Sequence, residues 1–325
     1  MENVRQLVWY VYKEILQCFH LIKIYSTKKF KRKNYDFQII KTCHNLERGL
    51  SMDEPREGFA RERILKMYTM IQYCMEVDGA NDNIKYAFSV LEQYFRWHYN
   101  YAPNKIQKVS DIYEKYVELN GKMQVEQRVP AGTYCCSYKD VNFEEMYNNL
   151  SQIIKTRHSV RCYSGEEVSK EEILSAIQLA QNAPSACNRQ PAKVYVVDKG
   201  DRELVRKWLE GSMTNFFNQW DKVLIITSDH CAFSMNEPWQ YIVSPSIFVG
   251  NLSLCLHASG IANCIIQRNL TWNNIEKTIH ELCTIPENEQ IICCMALGKY
   301  PNDVKLPISK RYETSGIVKF VEVKE

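Results

Sequence analysis

The sequence has no pair of cysteines with the spacing that a structural zinc site needs. Its 13 cysteines include two adjacent pairs, Cys135-Cys136 and Cys293-Cys294, but no two cysteines are separated by two residues. A tetrahedral zinc ion needs spaced ligands, so we expect no zinc site. We also find no cleavable secretory signal, and we therefore expect free thiols in a reducing cytoplasm.

The chain also lacks a strong overall charge. Its formal net charge is +3 at pH 7, which is too small to predict a nucleic-acid partner. Apolar residues make up 45% of the 325 residues, which allows a sizeable core and argues against global disorder. We identify no uncharged run that predicts a membrane-spanning helix. The length fits two domains.

Positive charge is concentrated at the N-terminus. Residues 1–50 carry ten Lys and Arg against four Asp and Glu, and residues 28–33 form a basic run. The run is either a solvated linker or a contact for an anionic surface or an acidic partner. The apolar spacing in residues 4–25 predicts a helix, which either packs internally or lies on a membrane surface. We predict at most weak membrane-surface contact through residues 4–33.

The N-terminal region is predicted to be mostly helical. Three further helices are expected over residues 61–77, 84–100 and 111–119. Residues 128–133 have the composition of a turn and no periodicity, which marks a domain boundary. We therefore predict a helical region of unknown role over residues 1–135 and a second domain over residues 136–325.

One pair of residues in the first region has the spacing of a metal site. His44 and Glu47 lie three residues apart, which places them on one helical face. The sequence has no second matching pair, so we interpret the pair as a structural hydrogen bond or cap.

The second region mixes helices and strands. Helices are predicted over residues 142–156, 170–182 and 246–259, and strands over residues 192–197, 223–227 and 291–297. The tail, residues 316–323, alternates apolar and polar residues as a strand does. Because the elements do not follow a strict strand–helix–strand repeat, we predict an α+β fold rather than a doubly wound sheet.

Four segments of this region carry groups suited to a phosphorylated, planar ligand. In an extended segment, Arg157, Ser159 and Arg161 would point to one side, where guanidinium groups suit a phosphate. The loop 183–191 is rich in small residues, and its Asn188 and Gln190 can hydrogen bond to the edge of a heteroaromatic ring. The other two segments are a glycine turn, residues 259–264, and a strand end, residues 296–301, that is followed by Lys310-Arg311.

The order and spacing of these segments resemble the nitroreductase family over roughly residues 150–325. The resemblance implies a mixed sheet flanked by helices and FMN in a groove at a homodimer interface. It also implies that NADH or NADPH delivers a hydride through flavin N5 to a small acceptor, with no protein acid or base required. The tail would then add a strand to the partner's sheet.

The resemblance also implies cofactor-binding residues. These are Arg157, His158, Ser159, Arg161, Pro184, Ser185, Ala186, Asn188, Gln190, Gln267, Arg268, Gly298, Lys310 and Arg311. Arg157 and Ser159 would bind the phosphate and ribityl chain, and Arg161 would reach the N1/O2 edge of the flavin. Ala192 and Arg268 depart from the aromatic residue and the glycine that are common in the family. Two alternatives therefore stay open: another flavin reaction, and a non-catalytic scaffold that binds a partner.

Overall fold

The computed structural model describes residues 2–101, 108–123, 129–198, 220–237, 239–267 and 274–323. Among these residues, helices make up the regular structure before residue 157, and helices and a four-stranded sheet make it up afterwards. The predicted α+β class is therefore confirmed.

Five helices form the N-terminal region within the described residues. They are α1 (Glu2–Tyr25), α2 (Lys28–Leu50), α3 (Arg61–Asp78), α4 (Asp82–Tyr101) and α5 (Ser110–Met123). The four predicted helices are all present. Their shared core contains the largest fully buried aromatic side chains of this region, Tyr68, Phe88 and Tyr94. These rings lie among aliphatic residues of α2 to α5, so this part of the chain encloses its own core.

The linker interpretation of the basic run was wrong, because residues 28–33 open helix α2. Thr27 caps the helix by accepting a hydrogen bond from the Phe30 amide at 3.0 Å. Arg32 forms ion pairs with Asp36 and Asp78, and its side chain is largely buried. Lys31 lies over the Tyr73 ring at 4.8 Å. Since the chain itself uses these cations, contact between the run and a membrane surface loses much of its support.

The second region contains one sheet in the order β1-β2-β4-β3. Its strands are β1 (Ala192–Asp198), β2 (Lys222–Asp229), β3 (Ile261–Gln267) and β4 (Glu289–Lys299). Three were predicted, and β3 was not. All three pairings are antiparallel, so the mixed strand directions that the resemblance implied are not found among the described strands.

Both faces of this sheet are covered. On β2, Val223 and Ile225 join one apolar cluster, whereas Leu224 and Ile226 join the other. The alternation follows from the two-residue period of a strand. Within the described residues, four more helices flank the sheet or its connections: α6 (Phe143–Thr156), α7 (Lys170–Ala180), α8 (Gln240–Ala258) and α9 (Asn274–Leu282). Ser169 and Glu172 form a capping box at the start of α7.

Helix α8 corrects one expectation from the sequence. By length and composition it is apolar enough to cross a membrane, with a mean hydropathy of 1.3 over its most apolar window. We had expected no such helix. Its inner side, which includes Leu252 and Leu256, is packed in one of the two apolar clusters of the sheet. A core helix of a globular domain has this same composition.

The predicted C-terminal strand does not form within a single chain. Residues 317–323 have no regular structure, and their side chains are exposed. The Phe320 side chain is 98% exposed. Whether these residues pair with a second copy stays a prediction.

The two regions contact each other through α1 and α2. The Gln17 amide donates to the Gln290 side chain at 2.9 Å, and Lys23 pairs with Glu287 at 2.8 Å. Further along, the Asn34 amide donates to the Cys231 carbonyl at 2.8 Å. The boundary at residue 135 stays a prediction, but the helical core and the sheet clusters share no residue.

Candidate cofactor site

The segment Arg157–Arg161 follows α6 and lies along the outer edge of β3. Arg157 is extended, and it ends the helix by donating its amide to the Ile153 carbonyl. The Val160 amide then donates to the Asn263 carbonyl at 3.0 Å. Asn263 is itself fixed, because its side chain accepts from the Ser253 hydroxyl at 2.7 Å. The segment is therefore held against the sheet at a defined position.

Burial in this segment does not follow the predicted alternation throughout. Val160 is fully buried, whereas Arg157, His158, Ser159 and Arg161 are all half-buried. Arg161 donates to the Ser159 carbonyl at 3.1 Å. Two guanidinium groups and a hydroxyl therefore share a short, half-buried stretch, which suits an anion.

A histidine that the sequence did not indicate joins this group. His257, near the end of α8, lies 2.7 Å from the Thr156 hydroxyl and 2.7 Å from the Tyr300 hydroxyl. Burial lowers the pKa of His257, and the charges of Arg157 and His158 lower it further. The neutral ring thus links the end of α6 to the end of β4 and adds no competing positive charge.

The loop 183–191 has an unusual backbone. Three residues other than glycine adopt positive φ: Cys187 at 52°, Asn188 at 53° and Gln190 at 47°. Such conformations are uncommon, and they persist where the surroundings over-determine them, often at functional sites. Here the Ser185 hydroxyl accepts from the Gln190 amide at 3.1 Å, and the Gln190 side chain donates to the Asn188 side chain at 3.2 Å. The predicted residues thus hold one another in place.

Arg189 holds this loop against the protein interior, although we assigned it no role from the sequence. Its side chain is fully buried and donates to both carboxylate oxygens of Glu237, at 2.6 and 3.0 Å. It also donates to the Ala232 carbonyl at 2.7 Å and lies over the Phe233 ring. Arg189 is the foremost cause that lowers the pKa of Glu237 to about 2. The sequence signal that could have indicated a role for Arg189 is its position inside the motif, between Asn188 and Gln190.

Helix α2 forms a wall beside the loop. A cavity of about 330 Å³ lies between them, lined by Asn188 and Gln190 on one side and by Asp36 and Phe37 on the other. Lys33 pairs with Asp229 at 3.5 Å beside the same cavity. The N-terminal region therefore contributes to the surroundings of the predicted ring-binding residues.

The two segments lie far apart within one chain. The loop precedes β1, the segment 157–161 runs along β3, and these two strands are the opposite edges of the sheet. Helix α8 spans the same distance. Its Ser244 hydroxyl accepts from the Ala186 amide at 3.3 Å near one end, and His257 contacts Thr156 near the other. Thirteen residues of helix separate these contacts, which corresponds to about 20 Å.

Comparisons with known proteins match the part of the chain that contains both segments. Residues 154–229 match the model of the nitroreductase family, and that range covers both segments. A protein of Archaeoglobus fulgidus named "Putative NADH dehydrogenase/NAD(P)H nitroreductase" is 29% identical over 161 residues, which are 47% of this chain and 86% of the relative. The C-terminal region is similar to the nitroreductase family over this range, and we call it the nitroreductase-family region for that similarity.

Solved structures that resemble this chain include two from Bacteroides. A protein of Bacteroides thetaiotaomicron described as a putative NADH dehydrogenase/NAD(P)H nitroreductase is 21% identical, with a TM-score of 0.45. The aligned part covers 53% of this chain and 97% of the Bacteroides thetaiotaomicron chain. A Bacteroides fragilis nitroreductase with bound FMN is 18% identical, also with a TM-score of 0.45. The aligned part covers 54% of this chain and 100% of the Bacteroides fragilis chain.

The remaining predicted residues of the nitroreductase-family region are dispersed. Gly298 is buried on β4, where a side chain would meet the Tyr163 ring, so its packing alone requires glycine. Gln267 ends β3 opposite Cys293, and Arg268 lies outside the described residues. Lys310 and Arg311 are exposed on the C-terminal segment, where Arg311 donates to the Ser309 carbonyl at 2.6 Å. Their roles at a flavin stay predictions.

Of the His44–Glu47 pair in the N-terminal region, Glu47 forms a structural hydrogen bond. Glu47 accepts from the Gly132 amide at 3.0 Å. Among the described residues no group of His, Cys, Asp and Glu side chains has the arrangement of a metal site. Glu47 thereby ties α2 to the segment that follows α5.

Proposed function

We propose that the C-terminal region is an FMN-dependent oxidoreductase that takes electrons from NADH or NADPH and passes them to a small acceptor. The observation that carries the proposal is the family match over residues 154–229, which includes the segment 157–161 and the strained loop 183–191. The name of the Archaeoglobus fulgidus relative also points to a nicotinamide donor. Free cysteines support a cytoplasmic location for this enzyme.

The residues of both segments fit this cofactor. Arg157 and Ser159 offer a guanidinium and a hydroxyl to the phosphate, and Arg161 offers a fixed cation to the pyrimidine edge of the ring. Bound FMN would supply the hydride chemistry. The chain would bind and orient it, and the amides and hydroxyls of the loop, among them Asn188 and Gln190, would face the ring.

We further propose a homodimer. The two binding segments are about 20 Å apart and lie at opposite sheet edges, so one chain does not bring them together. A second copy could place its loop beside the Arg157–Arg161 segment of the first. Exposed apolar side chains support such an interface, because helix α6 buries none of its residues and exposes Met146, Tyr147 and Leu150.

An absorption spectrum tests the cofactor. Purified protein, supplied with FMN, should show a bound flavin, and Arg157→Gln should weaken FMN binding by roughly tenfold through the loss of a charge-assisted contact. Arg96→Gln is the matched control, since Arg96 lies on α4 and pairs with Glu92 on the surface. A colourless protein that takes up no FMN would overturn the proposal.

Anaerobic titration tests the donor. NADH or NADPH should bleach the bound flavin within the mixing time of a stopped-flow experiment. Slow or absent bleaching with both nucleotides would favour a different flavin reaction. The two titrations also show which nucleotide the enzyme prefers.

Light scattering tests the dimer. Wild-type protein at micromolar concentration should have twice the mass of the chain, and Leu150→Asp on α6 should shift it to the monomer. Val117→Asp on α5 is the control, because Leu150 and Val117 are equally exposed, at 51% and 50%. A monomeric wild-type protein, or equal effects of both variants, would contradict the proposed interface.

A further inference from the structure

A cleft follows helices α2 and α3 on the N-terminal region. A cavity of about 860 Å³ lies between the end of α2, the loop 51–60 and the start of α3. A second cavity of about 690 Å³ continues along the same two helices and shares Asn45 and Arg63 with the first. The second cavity ends at Cys187 in the strained loop. We call the two together the α2–α3 cleft.

The walls of the cleft carry an excess of positive charge. Arg48, Arg56, Arg63 and Lys66 line it, and none of these side chains forms an ion pair within the described part of the chain. Two glutamates, Glu54 and Glu62, also line the cleft. Glu62 is neutralised by its ion pair with Arg61, which also pairs with Asp111, so Glu54 keeps its negative charge. Unpaired arginines around a concave surface repel one another, and an anionic ligand would remove that repulsion.

The loop that closes the cleft is held in a fixed conformation. Gly49 has no room for a side chain because the Phe59 ring packs directly against it. The Tyr94 hydroxyl donates to the Phe59 carbonyl at 2.8 Å, and the Gly58 amide donates to Nε2 of His98 at 2.9 Å. The other ring nitrogen of His98 contacts the Tyr94 carbonyl at 2.8 Å. Burial lowers the pKa of His98, so its ring stays neutral and can accept the Gly58 hydrogen bond.

The same loop leads into α3 with an uncommon backbone conformation. Ala60 adopts a left-handed conformation with φ of 59°, and no side chain caps the helix that follows. The first amides of the 18-residue helix therefore add partial positive charge beside Arg61 and Arg63. The fixed loop, the unpaired cations and the uncapped helix end all favour an anion at the same place.

We propose that the α2–α3 cleft binds a small molecule that carries a phosphate group. Guanidinium groups match phosphate oxygens in charge and geometry, and each of the two cavities has the size of a small-molecule site. Arg48, Arg56 and Arg63 would hold the phosphate. The remainder would extend past Lys66 toward Cys187.

Calorimetric titration with inorganic pyrophosphate tests the cleft. The protein is first saturated with FMN, so that the predicted flavin phosphate site is filled. Wild-type protein should bind the probe, and the double variant R48Q/R63Q should bind it at least about tenfold more weakly, because two charge-assisted contacts are lost. Arg96→Gln should stay within about twofold of wild type, since its guanidinium lies outside the cleft.

A second variant and a second protein state separate the possible outcomes. Arg56→Gln alone should also weaken binding, and all three arginines are exposed, so the variants should keep the wild-type unfolding midpoint. No pyrophosphate binding by FMN-loaded protein, or equal binding by all variants, would overturn the inference. If the protein takes up no FMN but R48Q/R63Q still loses pyrophosphate, the cleft stands and the flavin function fails.

Discussion

The two regions of this chain solve the problem of covering apolar surface differently. The N-terminal helices enclose a core in which Tyr68, Phe88 and Tyr94 are fully buried within a single chain. The C-terminal region covers both faces of its sheet, but it leaves α6 and the tail with exposed apolar side chains. The N-terminal region also leaves apolar surface uncovered, because Leu7, Trp9 and Phe19 on α1 are more than half exposed. The covered core of the first region is therefore that of α2 to α5, and the proposed second copy would cover α6 and the tail of the second region.

The two regions also divide the candidate binding surfaces. The family-related segments lie at the two sheet edges, whereas the unpaired arginines lie on α2, α3 and the loop between them. Helix α2 joins both, because one of its sides lines the cleft and another faces Asn188 and Gln190. The N-terminal region therefore forms part of the wall beside Asn188 and Gln190, the predicted ring-binding residues, and it adds a surface that the matched family range does not contain.

The largest effect on stability is expected from a cavity in the helical core. Phe88→Ala should lower the free energy of unfolding by about 3–5 kcal/mol, because a fully buried phenyl ring is replaced by a cavity. Phe320→Ala removes the same group from a side chain that is 98% exposed, and should change the free energy by less than about 0.5 kcal/mol. Urea unfolding at a low concentration, where dimers dissociate, measures both.

For the stability of the dimer, we expect the effects of these two variants in the opposite order. If the tail pairs with a second copy, Phe320→Ala should weaken the dimer, and Phe88→Ala should not at temperatures where it stays folded. Light scattering over a dilution series measures this. A Phe320→Ala protein that dimerises as tightly as wild type would remove the tail from the interface.

A smaller effect is expected at Gly298. A methyl group there would lie 2.6 Å from the Tyr163 ring, whose hydroxyl is fixed on the Val160 carbonyl. Gly298→Ala should therefore destabilise the protein by about 1–3 kcal/mol through overpacking. Gly250→Ala is the matched control, because Gly250 lies inside α8 with open space around it and alanine favours a helix by up to about 1 kcal/mol.

Flavin affinity then decides between the two roles of Gly298. If the residue serves packing alone, Gly298→Ala should keep the FMN affinity of wild type at temperatures where both are folded. A loss of FMN affinity without a loss of stability would restore the role that the family resemblance implies.

Sequence patterns predicted the elements whose periodicity is local. Helices α3 and α4 were recognised because their apolar residues repeat at helical spacing, and β2 because its run is buried on both faces. Strand β3 was missed because residues 259–264 were interpreted as a glycine turn, and only Ser259 and Gly260 separate the strand from α8. The basic run was misread because the partner that helps bury Arg32, Asp78, lies 46 residues away.

The candidate site shows the same limit. Motif order indicated Arg157, Ser159, Asn188 and Gln190, but no sequence signal marks a non-glycine residue that will adopt positive φ. The roles of Arg189 and His257 depend on Glu237, Thr156 and Tyr300, which come from distant segments. The separation of the two segments follows from strand order, and local patterns do not determine strand order.

The smallest effect is expected at the junction of the two regions, where pH should act. Burial lowers the pKa of His20 on α1 from 6.5 to about 4, and lowers that of His230 beside it to about 4. Because both values lie below the ordinary one, the unfolded chain binds more protons between pH 6.5 and about 4. Stability is therefore complete above pH 6.5 and falls as the pH falls toward 4. Between pH 7 and 5.5, His20 alone should account for a loss on the order of 1 kcal/mol.

Urea unfolding of wild type and His20→Gln at several pH values measures this contribution. The variant should be less sensitive to acid, because one of the two junction histidines no longer has to stay neutral in the folded state. Phe88→Ala serves as the comparison, since it weakens the helical core and should leave the pH dependence unchanged. If His20→Gln and wild type lose stability in parallel down to pH 4.5, the acid sensitivity does not arise from His20. The role of His20 at the junction would then be separate from that of the hydrogen bond of Gln17 and the ion pair of Lys23, which join the two regions.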